Sequence, residues 1–106
     1  MDLGATQARL AEFRDERDWH LFHTPQNLAQ ALSVEAGELL ECFLWGEGWG
    51  TGPEHEHRIA EECADVMIYL LQIADACGID LAHAVDAKII CNAQKYPVQS
   101  RLPYAR

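Results

Sequence analysis

Proline and glycine bound four stretches of this chain, and each of the four carries the apolar spacing of an α-helix. The interruptions lie at Pro25, at the glycine-rich run 46–53, at Gly78 and at Pro97. Proline removes a backbone donor and fixes φ, and glycine is common just beyond a helix C-terminus, so both residues limit helices. Between the breaks, apolar residues recur at helical intervals and show no strand-like alternation. The sequence predicts an all-α fold, arranged as a four-helix antiparallel bundle.

The limits of the helices follow from their capping residues. Thr24 is a favourable N-cap with Pro25 at the first helical position, where a missing N–H costs nothing. Asp80 is a second N-cap, and Gly78 suits the C-terminus of the helix before it. The predicted helices span about 6–21, 24–45, 53–77 and 80–96. Because 106 residues are typical of one domain, we expect a single domain over 1–106.

The net charge restricts the possible ligands. The chain has 8 Lys and Arg against 17 Asp and Glu, which gives a formal charge of -9. A protein that binds polymeric nucleic acid needs a basic surface to replace counterions, so we expect no such partner. If the ligand is an anion, a bound cation must reverse the local sign of the charge.

The sequence predicts neither a membrane partner nor a structural zinc site. No apolar run reaches the roughly 18–20 residues of a membrane span, and residues 1–12 lack the pattern of a secretory signal. The four cysteines form no C-x-x-C pair and lie among apolar neighbours, so we interpret them as reduced thiols. We therefore expect a cytoplasmic protein.

Acidic residues occupy positions that the helical pattern reserves for apolar ones. On a wheel of about 100° per residue, Glu35 lies inside the apolar stripe of its helix and Glu38 at the edge of that stripe. Glu62 and Asp65 flank the apolar face of the next helix in the same way. An unpaired buried carboxylate normally becomes protonated or binds a cation. If the two helices are antiparallel neighbours, the four carboxylates converge.

Four convergent carboxylates without a histidine favour a hard cation, Mg²⁺ or alternatively Mn²⁺. The competing interpretation is that these side chains are solvated or paired with arginine, for which Arg58 is the one candidate in the two helices. Other chemistries have weaker support. The run EHEH at 54–57 contains one E-x-x-H, whereas a di-iron bundle needs two, and there is no Walker loop.

The same acidic residues carry a family resemblance. The run VEAGELLE at 34–41, followed by ECAD at 62–65, resembles the E-x-x-E…E-x-x-D signature of the all-α nucleoside triphosphate pyrophosphatases, the MazG-like proteins. The segments FRDERDWHLFHTPQN at 13–27, FLW at 43–45 and KIICNAQKYPV at 88–98 are similar to the dCTP pyrophosphatase branch. The resemblance covers about residues 8–98.

That resemblance implies Mg²⁺-dependent hydrolysis of a nucleoside triphosphate to the monophosphate and pyrophosphate. It also implies a homo-oligomer, usually a tetramer built from two dimers, with sites at the subunit contacts. The metal ligands that it assigns are Glu35, Glu38, Glu62 and Asp65. The residues that it places near the phosphates or sugar are Tyr69, Lys88, Asn92 and Tyr96. It places Trp19 and Trp45 around the base.

Residue chemistry supports parts of this assignment. Glu38 or Glu41 could orient or deprotonate the attacking water, and the sequence does not decide between them. Lys88 begins a series spaced by four residues, so one helix face offers a cation and hydrogen-bond donors to phosphate. The sequence departs from its relatives at Leu10, where they often carry a histidine near the base. Base recognition would then depend on stacking and on polar groups such as His23.

The sequence therefore predicts a nucleotide pyrophosphatase that acts on dCTP-like or modified pyrimidine nucleotides and removes them from the nucleotide pool. Two alternatives remain at this point. One is an enzyme of broader or dUTP-directed specificity. The other is a non-catalytic helical module that binds a nucleotide or a partner, with a structural role for the acidic cluster.

Overall fold

The computed structural model describes residues 1–44 and 52–98. Within those ranges the chain forms helices without any strand, so the all-α prediction is confirmed. The α-helices are α1 (Leu3–Glu16), α2 (Pro25–Glu41), α3 (Pro53–Ala76) and α4 (Leu81–Lys95). A short 3₁₀ turn, Trp19–Leu21, separates α1 from α2.

Three of the predicted helix limits are confirmed by capping geometry. The Thr24 hydroxyl accepts a hydrogen bond from the Asn27 N–H at 3.1 Å at the start of α2. The Asp80 carboxylate accepts one from the His83 N–H at 3.0 Å at the start of α4. Gly78 follows α3 with a φ of +67°, a conformation that glycine adopts without steric strain.

The prediction for the first helix is wrong at both ends. The helix begins earlier because the Asp2 side chain accepts the Ala5 N–H at 3.0 Å. It ends at Glu16, before the predicted Leu21, because the chain reverses at Asp18, whose φ is 55°. Aspartate is one of the few residues that tolerate this left-handed conformation. The predicted end of α2 also shifts, since the helix stops at Glu41 and residues 42–44 form a turn.

Helices α2 and α3 form the central packed pair of the molecule. They run antiparallel, because the end of α2 at Glu41 lies beside the start of α3 at Arg58. Helix α1 packs on α3, where the Gln7 amide donates a hydrogen bond to the Leu71 carbonyl at 3.0 Å. The hydrophobic residues that are buried among the described part of the chain are Leu28, Cys42, Leu71 and Ala74.

Helix α4 departs from the predicted bundle. It makes an angle of 102° with α3 at the turn around Gly78. Its first turn lies beside the start of α1, but the helix does not pack along α1, α2 or α3. Val85, Ile89 and Ile90 are consequently about half exposed or more. Antiparallel packing holds for α2 and α3, whereas no other helix within residues 1–44 and 52–98 covers α4.

No single helix in residues 1–44 and 52–98 is both long and apolar enough to cross a membrane; α3 and α4 meet that criterion only as a bent pair.

Candidate metal and nucleotide site

Four carboxylates meet where α2 and α3 face each other. Oxygen atoms of Glu35, Glu62 and Asp65 all lie within 4.8 Å of one another. The carboxyl group of Glu38 lies within hydrogen-bonding reach of those of Glu35 and Glu62 and raises the pKa of both. The structure therefore brings together all four acidic residues that the helical wheels singled out. We refer to these four residues as the carboxylate cluster.

The electrostatics of the carboxylate cluster show an excess of negative charge. Burial, reinforced by the hydrogen bond to Glu38 and the neighbouring negative charges, raises the pKa of Glu35 to about 7. Burial and the charge of Glu38 also raise the pKa of Glu62. The Oε2 atoms of Glu35 and Glu62 are buried and have no hydrogen-bond partner among the described residues. Unpartnered buried oxygens usually mean a missing ligand, and an oxygen-only donor set fits a hard divalent cation.

Glu41 and Arg58 lie at one end of the carboxylate cluster. The Arg58 Nη2 atom is 3.8 Å from the Glu41 Oε1 atom, and the two side chains are 39% and 54% exposed. The positive charge of Arg58 also acts on Glu62, opposing the rise in its pKa. Glu41, the second candidate for the base, thus lies beside the oxygens that converge rather than among them.

An aromatic pocket adjoins the other end of the cluster. The pocket has a volume of about 240 Å³, and its lining consists of Leu10, Phe13, Trp19, His23, Asp65, Ile68, Tyr69 and Gln72. The Trp19 ring meets Phe13 edge-on at 5.6 Å and lies 6.1 Å from the His23 ring. Asp65 belongs both to the pocket and to the carboxylate cluster, so a molecule in the pocket is adjacent to the carboxylates.

His23 supplies an unsatisfied polar group to this pocket. Its Nδ1 atom is buried and finds no hydrogen-bond partner in residues 1–44 and 52–98. Burial, with a smaller effect from the charge of Arg14, lowers the pKa of the imidazole. The ring is therefore neutral at neutral pH, and a neutral imidazole can both donate and accept hydrogen bonds. Leu10 lies in the same pocket.

The predicted phosphate residues of α4 are not brought to the carboxylates within one chain. Lys88, Asn92 and Tyr96 are all exposed; the first two lie on α4, and Tyr96 follows its last residue as the C-cap. Because α4 does not pack on α2 or α3, these side chains remain away from the cluster. The predicted base contact at Trp45 lies outside the described residues.

Sequence reasoning missed several pocket residues. Phe13, Ile68 and Gln72 all line the pocket, and none of them was a predicted site residue. The sequence could have indicated Ile68 and Gln72, because they follow Asp65 at helical spacings of three and seven. Phe13 gave no comparable signal, because its contact with Trp19 depends on the chain reversal at Asp18.

The comparisons with known proteins show the family of this chain. The profile of the MazG-like family matches residues 31–102, which is more than half of the chain. The chain belongs to the MazG-like family. The motif resemblance found in the sequence is thereby confirmed. The family match spans all four residues of the carboxylate cluster.

The chain is also similar to individual curated relatives and to a solved structure. The chain is 45% identical over 93 residues to mouse dCTP pyrophosphatase 1, covering 83% of this chain and 55% of that protein. It is 46% identical over 94 residues to the human protein of the same name, covering 82% and 54%. The chain thus spans about half the length of these relatives. A pyrophosphatase from Archaeoglobus fulgidus matches with a TM-score of 0.81 and 39% identity, over 92% of this chain and 94% of that one.

Proposed function

We propose that this protein is a metal-dependent nucleoside triphosphate pyrophosphatase that hydrolyses dCTP-like or modified pyrimidine nucleotides in the nucleotide pool. The observation that carries the proposal is the carboxylate cluster, with two buried unpartnered oxygens, beside an aromatic pocket. The names of the mouse and human relatives support dCTP as the first substrate to test.

The carboxylate cluster would hold the metal. Glu35, Glu38, Glu62 and Asp65 offer only oxygen donors, so we propose Mg²⁺, with Mn²⁺ as the alternative. When bound, such a cation neutralises phosphate charge, stabilises charge that develops in the transition state and lowers the pKa of water. The net charge of -9 makes this neutralisation necessary for a triphosphate to approach.

The protein's own residues position the two reactants. Trp19 stacks on the base, and its edge-on contact with Phe13 fixes the plane of the ring. Tyr69 lies one turn after Asp65 and spans the space between base and phosphates. The oxygen of water bonds to phosphorus, and the phosphoanhydride bond between the α and β phosphates breaks. The products are the nucleoside monophosphate and pyrophosphate, and Glu38 or Glu41 accepts the proton of the water.

A second copy of the chain would complete the site. Lys88 and Asn92 lie on α4 and Tyr96 at its C-terminal end, and no other described helix packs along α4. We propose at least a dimer, and favour a tetramer, in which α4 of one subunit brings these donors to the carboxylates of another. We also propose a cytoplasmic location without nucleic-acid or membrane partners, because all four cysteines are free and the charge is strongly negative.

The test is dCTP hydrolysis by the full chain with and without Mg²⁺. We expect dCMP and pyrophosphate in equal amounts, and loss of both products with a chelator. The Glu35→Gln variant should be inactive, whereas Glu12→Gln, which removes an exposed charge from α1, should match the wild type. Nucleotide binding without any turnover at either Mg²⁺ or Mn²⁺ would contradict the proposal and favour the non-catalytic module.

A further inference from the structure

One basic side chain lies on the same face of α3 as the metal-binding carboxylates. Residues 58, 62, 65 and 69 fall within an arc of about 60° on a helical wheel. Arg58 therefore precedes Glu62 by one turn, and Tyr69 follows Asp65 by one turn. Arg58 is the only Lys or Arg in the stretches that form α2 and α3.

The order of these residues along α3 gives the site two different ends. The aromatic pocket lies at the Asp65 and Tyr69 end of the face, and Arg58 lies at the opposite end. Eleven residues separate Arg58 from Tyr69, which corresponds to about 16 Å along the helix axis. The carboxylate cluster lies between them. A nucleotide whose base fills the pocket and whose phosphates reach the cluster therefore points its distal phosphates toward Arg58.

The ion pair with Glu41 does not explain why an arginine occupies position 58. The pair is 3.8 Å long and joins two partly exposed side chains, a geometry that contributes little to stability. A guanidinium carries five N–H donors in a fork that suits phosphate oxygens. Arg58 can thus exchange a weak carboxylate contact for a stronger phosphate contact when the substrate arrives.

We propose that Arg58 binds the terminal phosphates of the substrate, the part that leaves as pyrophosphate. The assignment rests on the proposed function, and it concerns a residue outside the carboxylate cluster. Its role is to hold the leaving group by charge-assisted hydrogen bonds, while the aromatic pocket holds the nucleoside. The two products should therefore depend on different residues for their binding.

Calorimetry of product binding tests this assignment without requiring turnover. Wild type, Arg58→Gln and Arg58→Lys are titrated with pyrophosphate and, separately, with dCMP, both in excess Mg²⁺. We expect Arg58→Gln to weaken pyrophosphate binding by about tenfold to a hundredfold. Arg58→Lys should fall between that variant and the wild type, because it keeps the charge but loses the fork. Binding of dCMP should change by less than about twofold.

Two further variants separate this role from simpler ones. Arg9→Gln removes an equal charge from the exposed face of α1 and should leave both affinities unchanged. Glu41→Gln removes the ion-pair partner and should leave pyrophosphate binding equal or stronger. If Glu41→Gln weakens pyrophosphate as much as Arg58→Gln does, Arg58 only positions Glu41 and the assignment is wrong.

The remaining outcomes are also decisive. Unchanged pyrophosphate affinity in Arg58→Gln, no pyrophosphate binding by the wild type, or an equal loss of dCMP binding would each overturn the assignment. Wild-type turnover of dCTP is measured in parallel. Pyrophosphate binding that depends on Arg58, in a protein that does not hydrolyse dCTP, would refute the proposed function and leave the phosphate contact standing.

Discussion

Glu35 is a single residue with two features that are typical of a metal ligand. It lies among other carboxylates, and one of its oxygens is buried without a partner. Its position inside an apolar stripe could be read from the sequence, because helical periodicity alone places it there. Its raised pKa could not, because that value depends on which side chains α3 brings opposite it.

We expect Glu35→Gln and Asp65→Asn to keep the fold and lose most of the activity. Each change deletes an anionic ligand, and the loss should exceed the 10–100-fold effect on metal affinity or activity that is typical of outer-shell partners. The metal-free variants should melt at a higher temperature than the metal-free wild type, because crowding among carboxylates is relieved. The measurements are Mg²⁺-dependent dCTP turnover and thermal melts in chelator. Near-normal turnover by both variants would refute the metal site.

Leu10 and His23 line the aromatic pocket together, so we expect base selection to depend on them. An apolar residue at position 10 cannot make a polar contact with the base, so stacking and shape carry most of the recognition. We expect kcat/KM values for dCTP, 5-methyl-dCTP, dUTP and dTTP to lie within about a hundredfold of one another. Purine triphosphates belong in the same panel, at one Mg²⁺ concentration. A preference above about 10⁴-fold would mean that a polar group, with His23 the first candidate, reads the base directly.

Among the described helices, α4 shows the largest mismatch between an apolar sequence and a solvent-exposed position. Val85 and Ile89 lie on one side of it, about one turn apart, and both are exposed within the chain. A second subunit is the cover that we propose for this side. We expect Ile89→Lys to shift the assembly toward monomer and to reduce activity, with little loss of secondary structure.

Light scattering at micromolar concentration measures this change. The control is Gln94→Lys, since residue 94 lies on the opposite side of α4 and is also exposed. This control should assemble like the wild type. A wild-type monomer, or an Ile89→Lys variant that assembles normally, would show that α4 has another role.

The limits of prediction also appear at this scale. Thr24, Gly78 and Asp80 marked helix ends correctly because their capping preferences are local. The end of α1 could not be predicted, because the helical pattern continues through Asp18 and only the backbone conformation there breaks it. The course of α4 could not be predicted either. An apolar helix face favours packing against a partner, but it does not indicate whether that partner belongs to the same chain.

For the molecule as a whole, the accessible surface of 8215 Å² is large for a chain of 11.9 kDa. A compact monomer of this mass exposes roughly 5,900 Å². Two features accompany this larger surface: the core is small, and α4 packs on no other described helix. Association of subunits would cover part of this surface, so we expect the oligomer to be considerably more stable than an isolated chain.

Stability of the metal-free protein should depend on pH through Glu35. The folded-state pKa of about 7 lies above the ordinary value of 4.5, so the folded protein binds more protons between these two values. The Glu35 contribution to stability is therefore greatest below about pH 4.5 and is lost as the pH rises to about 7. We expect Glu35→Gln to remove this trend. The measurement is Tm in chelator from pH 5 to 8 for both proteins, and identical profiles would contradict the assigned pKa.

The proton shared within the carboxylate cluster also bears on how the protein takes up a cation. Near neutral pH, Glu35 is protonated in about half of the metal-free molecules, because its pKa is about 7. The binding of each divalent ion then releases, on average, a fraction of one proton per molecule into the medium. The heat of Mg²⁺ uptake should accordingly vary with the ionisation enthalpy of the buffer, and that variation should vanish in Glu35→Gln. Acidification and magnesium would thus compete for the same pair of oxygens.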